Sequence, residues 1–135
     1  MRLRILTGAA LLLGLAASAT SGDSRAPQRQ WAVAYLSEPT FIGSTIVQGP
    51  VLFTHDEAKM ARGEPCTTVQ LFDPAMGPMT TIAAFHCVPM RRPVVRKFTV
   101  RTQPNVSLGF GCVLTEYQFA GDSEAHGVPE STNAH

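Results

Sequence analysis

From Trp31 onward, short runs of β-branched and aromatic residues alternate with breaks rich in glycine, proline and asparagine. Such runs are typical of β-strands, and the residues in the breaks favour the φ angles that turns require. We therefore predict about seven strands, near residues 31–36, 40–47, 50–55, 67–72, 80–87, 94–102 and 112–119. Turns are predicted at the breaks 38–39, 48–50, 73–78 and 103–105.

A strand and a turn together take about ten residues, and no long helical pattern lies between them, which argues against βαβ units. The pattern predicts an all-β fold, with a single domain built as an antiparallel sandwich or small barrel. One short helical turn is predicted near residues 56–62, with Asp56 as the N-cap and Gly63 just after the helix.

The first 19 residues have the features of a secretory signal peptide. Arg2 and Arg4 precede an apolar run, and the small residues 17–19 follow it. An uncleaved anchor is the alternative, but the run is shorter than the roughly 20 apolar residues that span a bilayer. We predict a signal peptide (1–19), a flexible leader (20–30), a β domain (31–126) and a disordered tail (127–135), in a periplasmic or extracellular protein.

The charge of the chain narrows the range of partners. Loss of Arg2 and Arg4 with the signal peptide leaves a chain close to neutral. Such a chain has no general affinity for nucleic acid or anionic lipid, and no later stretch could span a membrane. The basic run 90–98 is expected to pair with acidic residues such as Glu116, with Arg96 as one candidate. The expected partner is an unknown protein or a small ligand, and the sequence does not indicate an oligomeric state.

Three cysteines in an exported chain imply one disulfide and one free thiol. Loop entropy leaves the three possible pairings within about 1 kcal/mol of one another. Cys66 and Cys87 stand at the ends of what are predicted to be neighbouring strands, which favours a disulfide between them. Cys112 is then the spare thiol, and its apolar neighbours do not favour a reactive thiolate.

A transition-metal site is the main chemical alternative. The chain has no closely spaced cysteine pair of the kind that marks structural zinc sites. His86 and Cys87 are adjacent, so on a strand their side chains point to opposite faces, and a site that uses His86 excludes Cys87. The candidate ligands for zinc or copper are therefore His55, His86 and His126, with Met60 as a further copper ligand. The pair Met76 and Met79 is a second copper candidate.

No catalytic signature such as a G-x-S-x-G elbow is present, so no enzyme and no catalytic residue is predicted. Instead, polar residues around position 60 and near the C-terminus are expected to meet at one end of the sheet. This candidate surface consists of His55, Asp56, Lys59, Glu64, Glu124 and His126.

Four motifs carry a resemblance to known proteins. They are HDxAKMAxGEPC at 55–66, FHC at 85–87, ExQFAG at 116–121 and HGVP at 126–129. The pattern resembles a set of small secreted bacterial proteins of unknown function. The resemblance implies a bacterial, exported origin and brings no activity or cofactor with it.

The sequence thus predicts an exported, non-catalytic binding or accessory module with a disulfide-stapled β core and no cofactor. A periplasmic zinc- or copper-binding protein that uses His55, His86 and His126 is the alternative.

Overall fold

The computed structural model describes residues 26–130. The signal peptide, most of the predicted leader and the last five residues lie outside this range. Within it the chain forms eight strands and one short helix: β1 (Arg29–Ile42), β2 (Thr45–Asp56), α1 (Glu57–Ala61), β3 (Thr67–Asp73), β4 (Gly77–Phe85), β5 (Val88–Arg91), β6 (Thr99–Pro104), β7 (Cys112–Gln118) and β8 (Glu124–Gly127). The predicted all-β fold is confirmed.

The strands form one mixed sheet in the order β4-β3-β2-β1-β7-β8-β5, with β6 paired to β7. All pairs are antiparallel except β1 with β7, where the end of β1 runs parallel to the start of β7. The sheet path does not return to its first strand, so the barrel alternative is wrong, and the parallel contact of β1 with β7 makes the sheet mixed where the prediction was antiparallel. The sheet is instead sandwich-like: the rings of Phe53 on β2 and Tyr117 on β7 lie 5.1 Å apart and join its two halves.

Two of the four predicted turns lie inside strands. β1 continues through residues 38–39 because a bulge between Leu36 and Thr40 absorbs them, and a bulge is where a strand tolerates proline. Residues 48–50 lie within β2, where Gly49 and Pro50 pair with β1, and the chain reverses instead at 43–44, where Gly43 has a φ of 64°. The predicted turn at 73–78 is confirmed, since the Asp73 carboxylate accepts hydrogen bonds from the backbone of residues 75 and 76.

Several element boundaries also differ from the prediction. The predicted strand 94–102 begins only at Thr99, and the short strands β5 and β8 were not predicted. The predicted flexible leader (20–30) extends too far along the chain, because β1 already begins at Arg29. The first residues of the predicted disordered tail (127–135) are instead ordered: β8 includes Gly127, and the Val128 amide donates to the Thr115 carbonyl at 2.8 Å. The predicted helical turn is confirmed, with Asp56 capping α1 through the amides of Ala58 and Lys59.

The core lies between the two halves of the sheet, and a bulge in β7 determines which residues reach it. Thr102 pairs with Leu114 while Arg101 pairs with Glu116, so β7 holds one extra residue at this point. The extra residue changes the alternation, and Leu114 and Tyr117 both face the core. The buried apolar cluster is Leu36, Ile42, Val47, Val51, Phe53, Cys66, Val69, Phe85, Cys87, Leu114, Tyr117 and Phe119.

On the opposite face of β7, Glu116 is nearly buried and pairs with Arg92 at 3.2 Å and Arg101 at 3.7 Å. These two arginines take the role that the sequence suggested for Arg96. Gln118 is fully buried and donates to the carbonyls of Pro93 and Asp122, which ties the connection between β5 and β6 to the turn after β7. Among residues 26–130, no helix is long and apolar enough to cross a bilayer.

Candidate metal centre

Strand register brings two histidines together in the core. His55 lies two residues beyond Phe53 on β2, so both side chains point to the same face. His126 on β8 pairs directly with Tyr117 on β7. Because Phe53 packs against Tyr117, the two histidines meet next to that contact, with ring centroids 4.1 Å apart. Each histidine is only 2% exposed.

Cys87 completes this group. It lies between the end of β4, which pairs with β3, and the start of β5, which pairs with β8. Phe85 and Cys87 are buried while His86 between them is exposed, as alternation along an extended chain requires. The Cys87 Sγ lies 3.5 Å from the His126 Nδ1.

The ligand atoms of His55, Cys87 and His126 all lie within 4.8 Å of one another, and all three residues are buried. We call this group the HCH cluster. It includes two members of the predicted histidine trio, but the structure does not bring in His86. The expectation that His86 and Cys87 point to opposite faces holds, yet the inward residue is Cys87. The missed signal is Phe85, a large apolar residue two positions earlier and therefore on the same face as Cys87.

The methionines of the copper interpretation do not join the HCH cluster. Met60 is half-buried and packs against the apolar core. Met76 and Met79 are both exposed, in and after the turn between β3 and β4.

Burial sets the protonation of the HCH cluster. Together with the smaller effect of the nearby His55, it lowers the pKa of His126 to about 4. Burial also lowers the pKa of His55, against the opposing effect of carboxylates, of which Glu57 is the largest. Both imidazoles are therefore neutral at pH 7, the form that binds metals. Burial, together with the hydrogen bond to Cys66, raises the pKa of Cys87 to about 12, so without a metal its thiol keeps its proton.

His55 has an unusual environment for a buried histidine. Neither its Nδ1 nor its Nε2 has a hydrogen-bond partner in the part of the chain that the structure describes. A neutral imidazole has one donor and one acceptor, and burying each without a partner costs about 1–3 kcal/mol. The ring therefore offers a lone pair, next to a second imidazole and a thiol, that no described group uses.

Cys66 lies directly behind Cys87. Their Sγ atoms are 3.0 Å apart, and the Cys87 amide donates to the Cys66 Sγ at 3.3 Å. Both are free thiols, so the predicted disulfide is not formed, because an S–S bond is only about 2.05 Å long. The sequence did identify the two cysteines that meet. Cys112 is buried elsewhere, with its Sγ 3.3 Å from the Thr40 hydroxyl.

A small cleft of about 170 Å³ leads to His126 and is lined by Gln28, Gln30, Glu57, Asp122, Ser123 and Glu124. We call its three carboxylates, Glu57, Asp122 and Glu124, the acidic mouth. The Gln30 side-chain amide donates a hydrogen bond to the Asp122 carboxylate at 2.8 Å. The Gln28 backbone amide donates one to the Glu57 carboxylate, also at 2.8 Å. All three carboxylates act electrostatically on His55.

The candidate surface predicted from sequence divides into three parts. His55 and His126 are buried in the HCH cluster, and Glu124 stands at the acidic mouth. Asp56 ends β2 and caps α1, and Lys59 and Glu64 follow in the connection to β3, where the Glu64 amide donates to the Lys59 carbonyl at 3.0 Å. The surface predicted from sequence did not include Glu57, which follows Asp56, or Asp122, which lies two residues before Glu124.

When the chain is compared with protein-family models, with curated proteins and with solved structures, none matches it.

Proposed function

We propose that this protein is an exported, non-catalytic protein that binds one zinc or copper ion through His55, Cys87 and His126. One observation carries the proposal. Three metal-ligating side chains converge within 4.8 Å in the core, and both ring nitrogens of one of them lack a partner among the described residues.

The spacing of the donor atoms supports this proposal. In a tetrahedral zinc site, a thiolate sulfur at about 2.3 Å and an imidazole nitrogen at about 2.0 Å from the ion are about 3.5 Å apart. The Cys87 Sγ and His126 Nδ1 are 3.5 Å apart, which fits one shared ion without rearrangement. All three ligand atoms lie within 4.8 Å of one another, so a shift of about 1–1.5 Å would bring even the most distant pair to the spacing of a tetrahedral site.

The donor types also restrict the metal. One sulfur and two imidazole nitrogens suit zinc and copper and do not suit calcium or magnesium, which take oxygen ligands. The ion would displace the Cys87 proton, since only the thiolate coordinates. The acidic mouth would raise the local concentration of cations beside His126.

The cellular location belongs to the same proposal. The basic start, apolar run and small-residue exit of residues 1–19 support export from a bacterial cell. Zinc or copper would then be met in the periplasm or medium.

Metal titration of the purified protein, kept reduced with a phosphine, tests the proposal. We expect one zinc or copper(I) ion per chain and a thermal melt that a chelator lowers. His55→Ala, Cys87→Ser and His126→Ala should each weaken binding by more than about 100-fold, because even changes outside the ligand shell cost roughly 10- to 100-fold.

His86→Ala is the matched control, since it removes an exposed histidine next to Cys87 and should leave binding unchanged. Circular dichroism would establish that each variant is folded. Absence of a bound ion, or an equal loss in His86→Ala, would contradict the proposal.

A second candidate function is supported by a different observation, the 3.0 Å separation of the Cys66 and Cys87 sulfurs. In this candidate the protein is an exported accessory module that binds a protein or small ligand, and a Cys66–Cys87 disulfide staples its β core. Closing the 21-residue separation would stabilise the fold by about 3 kcal/mol.

Thiol alkylation in denaturant tests the second candidate on protein isolated from the export compartment. The staple predicts one reactive thiol, Cys112, before reduction and three after it. Three reactive thiols without reduction would exclude the staple and leave Cys87 available for metal.

A further inference from the structure

The Cys87 sulfur has two neighbours that require different chemical states of it. The His126 Nδ1 lies 3.5 Å away on one side, and the Cys66 Sγ lies 3.0 Å away on the other. With His126 and a metal, Cys87 must be a thiolate, because the thiolate is the ligand form of cysteine. With Cys66, it can form a disulfide, in which the sulfur no longer carries the negative charge of a thiolate. One sulfur atom cannot do both.

The backbone around the pair is already arranged for a disulfide. Cys66 immediately precedes β3 and Cys87 follows β4, and these strands pair through Thr67 and Phe85. The Cys87 amide already donates to the Cys66 Sγ, and the Asp56 amide fixes the Cys66 carbonyl at 2.9 Å. The two sulfurs need to approach by about 1 Å to reach bonding distance. Oxidation thus needs a small movement, and it withdraws Cys87 from the HCH cluster.

We propose that Cys66 is the redox switch of the metal site: a Cys66–Cys87 disulfide releases the ion, and reduction restores its binding. This inference rests on the proposed metal-binding function. It also relates the two candidate functions, because the stapled form and the metal-binding form are then two states of one protein.

The oxidant is a low-molecular-weight disulfide such as oxidised glutathione. One protein sulfur attacks it, breaks its S–S bond and forms a mixed disulfide, and one glutathione thiol leaves. The second protein sulfur then displaces the second glutathione thiol and forms the Cys66–Cys87 bond. The two cysteines lose two electrons and two protons, and both end on the two glutathione thiols. His55 and His126 remain as two neutral ligands, too few for a stable zinc site.

Both cysteines are buried, so exchange requires an opening of the fold or takes place before folding. The test therefore prepares each redox state by refolding. A Cys112→Ala variant restricts pairing to Cys66 and Cys87, because it removes the third cysteine of the chain. The change leaves the metal site intact, since Cys112 lies outside the HCH cluster and against Thr40. One sample refolds with a phosphine and the other with a glutathione redox pair, and mass spectrometry verifies the state of each.

Zinc(II) is then titrated into both samples. The reduced protein should bind one ion, the oxidised protein should bind more than 100-fold more weakly, and refolding the oxidised sample with a phosphine should restore binding. Reduced Cys66→Ser protein should bind zinc as tightly as the reduced parent, since Cys66 is a switch residue and not a ligand.

The outcomes separate this inference from the function on which it rests. If the reduced protein binds no zinc, the metal-binding proposal fails. If reduced and oxidised proteins bind zinc equally, metal binding stands and the switch is refuted. If Cys66→Ser loses zinc binding while it remains folded, Cys66 is a fourth ligand, and the switch is again refuted.

Discussion

Acidification should destabilise the metal-free protein because protons bind the buried histidines only after unfolding. Burial holds the pKa of His126 at about 4, against an ordinary value of 6.5. Between these values the unfolded chain binds a proton that the folded chain does not. The free energy of unfolding therefore falls as the pH drops from 6.5 toward 4.

The size of the effect follows from this difference. At about 1.4 kcal/mol per pKa unit, a shift from 6.5 to about 4 corresponds to about 3 kcal/mol once the pH is below both values. Between pH 7 and pH 5 about 2 kcal/mol of this is lost. His55, whose pKa burial also lowers, adds to the loss in the same direction.

Urea unfolding at pH 7 and pH 5, with a chelator and a reductant present, measures this difference. His126→Gln should lose about 2 kcal/mol less than the wild type between the two pH values. His86→Gln, at an exposed histidine, should keep the wild-type loss. A wild-type stability that is constant or rises on acidification would refute the reasoning, as would an unchanged pH dependence in His126→Gln.

Three further predictions concern the surroundings of the HCH cluster. Glu124→Gln should slow zinc association roughly threefold and weaken its salt dependence, because one of three attracting charges is lost; a stopped-flow rate equal to that of the wild type would contradict this. Glu116→Gln should cost about 2 kcal/mol in urea unfolding, since two arginines lose their buried partner, whereas Arg96→Gln should cost little; equal costs would disagree with the structure. Tyr117→Phe removes the hydroxyl that bonds Thr67 in the core and should cost about 1–2 kcal/mol. Adding Thr67→Val should recover part of that loss, and a strictly additive double variant would count against a direct bond.

Local patterns predicted the parts of the fold that local chemistry determines. The β-branched runs predicted the all-β class, Asp56 predicted the start of α1, and the break at 73–78 predicted its turn. The turn predicted at 38–39 failed because a bulge carries β1 past Pro39. No local feature distinguishes such a bulge from a turn. The parallel contact of β1 with β7 joins residues 72 positions apart and leaves no local trace.

The residues of the metal site could also be predicted from the sequence only in part. The sequence identified His55 and His126 as candidates, and it identified Cys66 and Cys87 as neighbours. It selected His86 and excluded Cys87, because adjacent residues on a strand point to opposite faces and alternation alone does not say which face is inward. The bulge in β7 that turns Tyr117, and with it His126, toward Phe53 depends on tertiary pairing.

X-ray absorption of the reduced, zinc-loaded protein tests the central claim most directly, because it reads the ligands of the ion itself. The HCH cluster predicts one sulfur at about 2.3 Å and two imidazole nitrogens at about 2.0 Å, with the sulfur absent in Cys87→Ser. A shell of nitrogen and oxygen alone in the wild-type protein would contradict it.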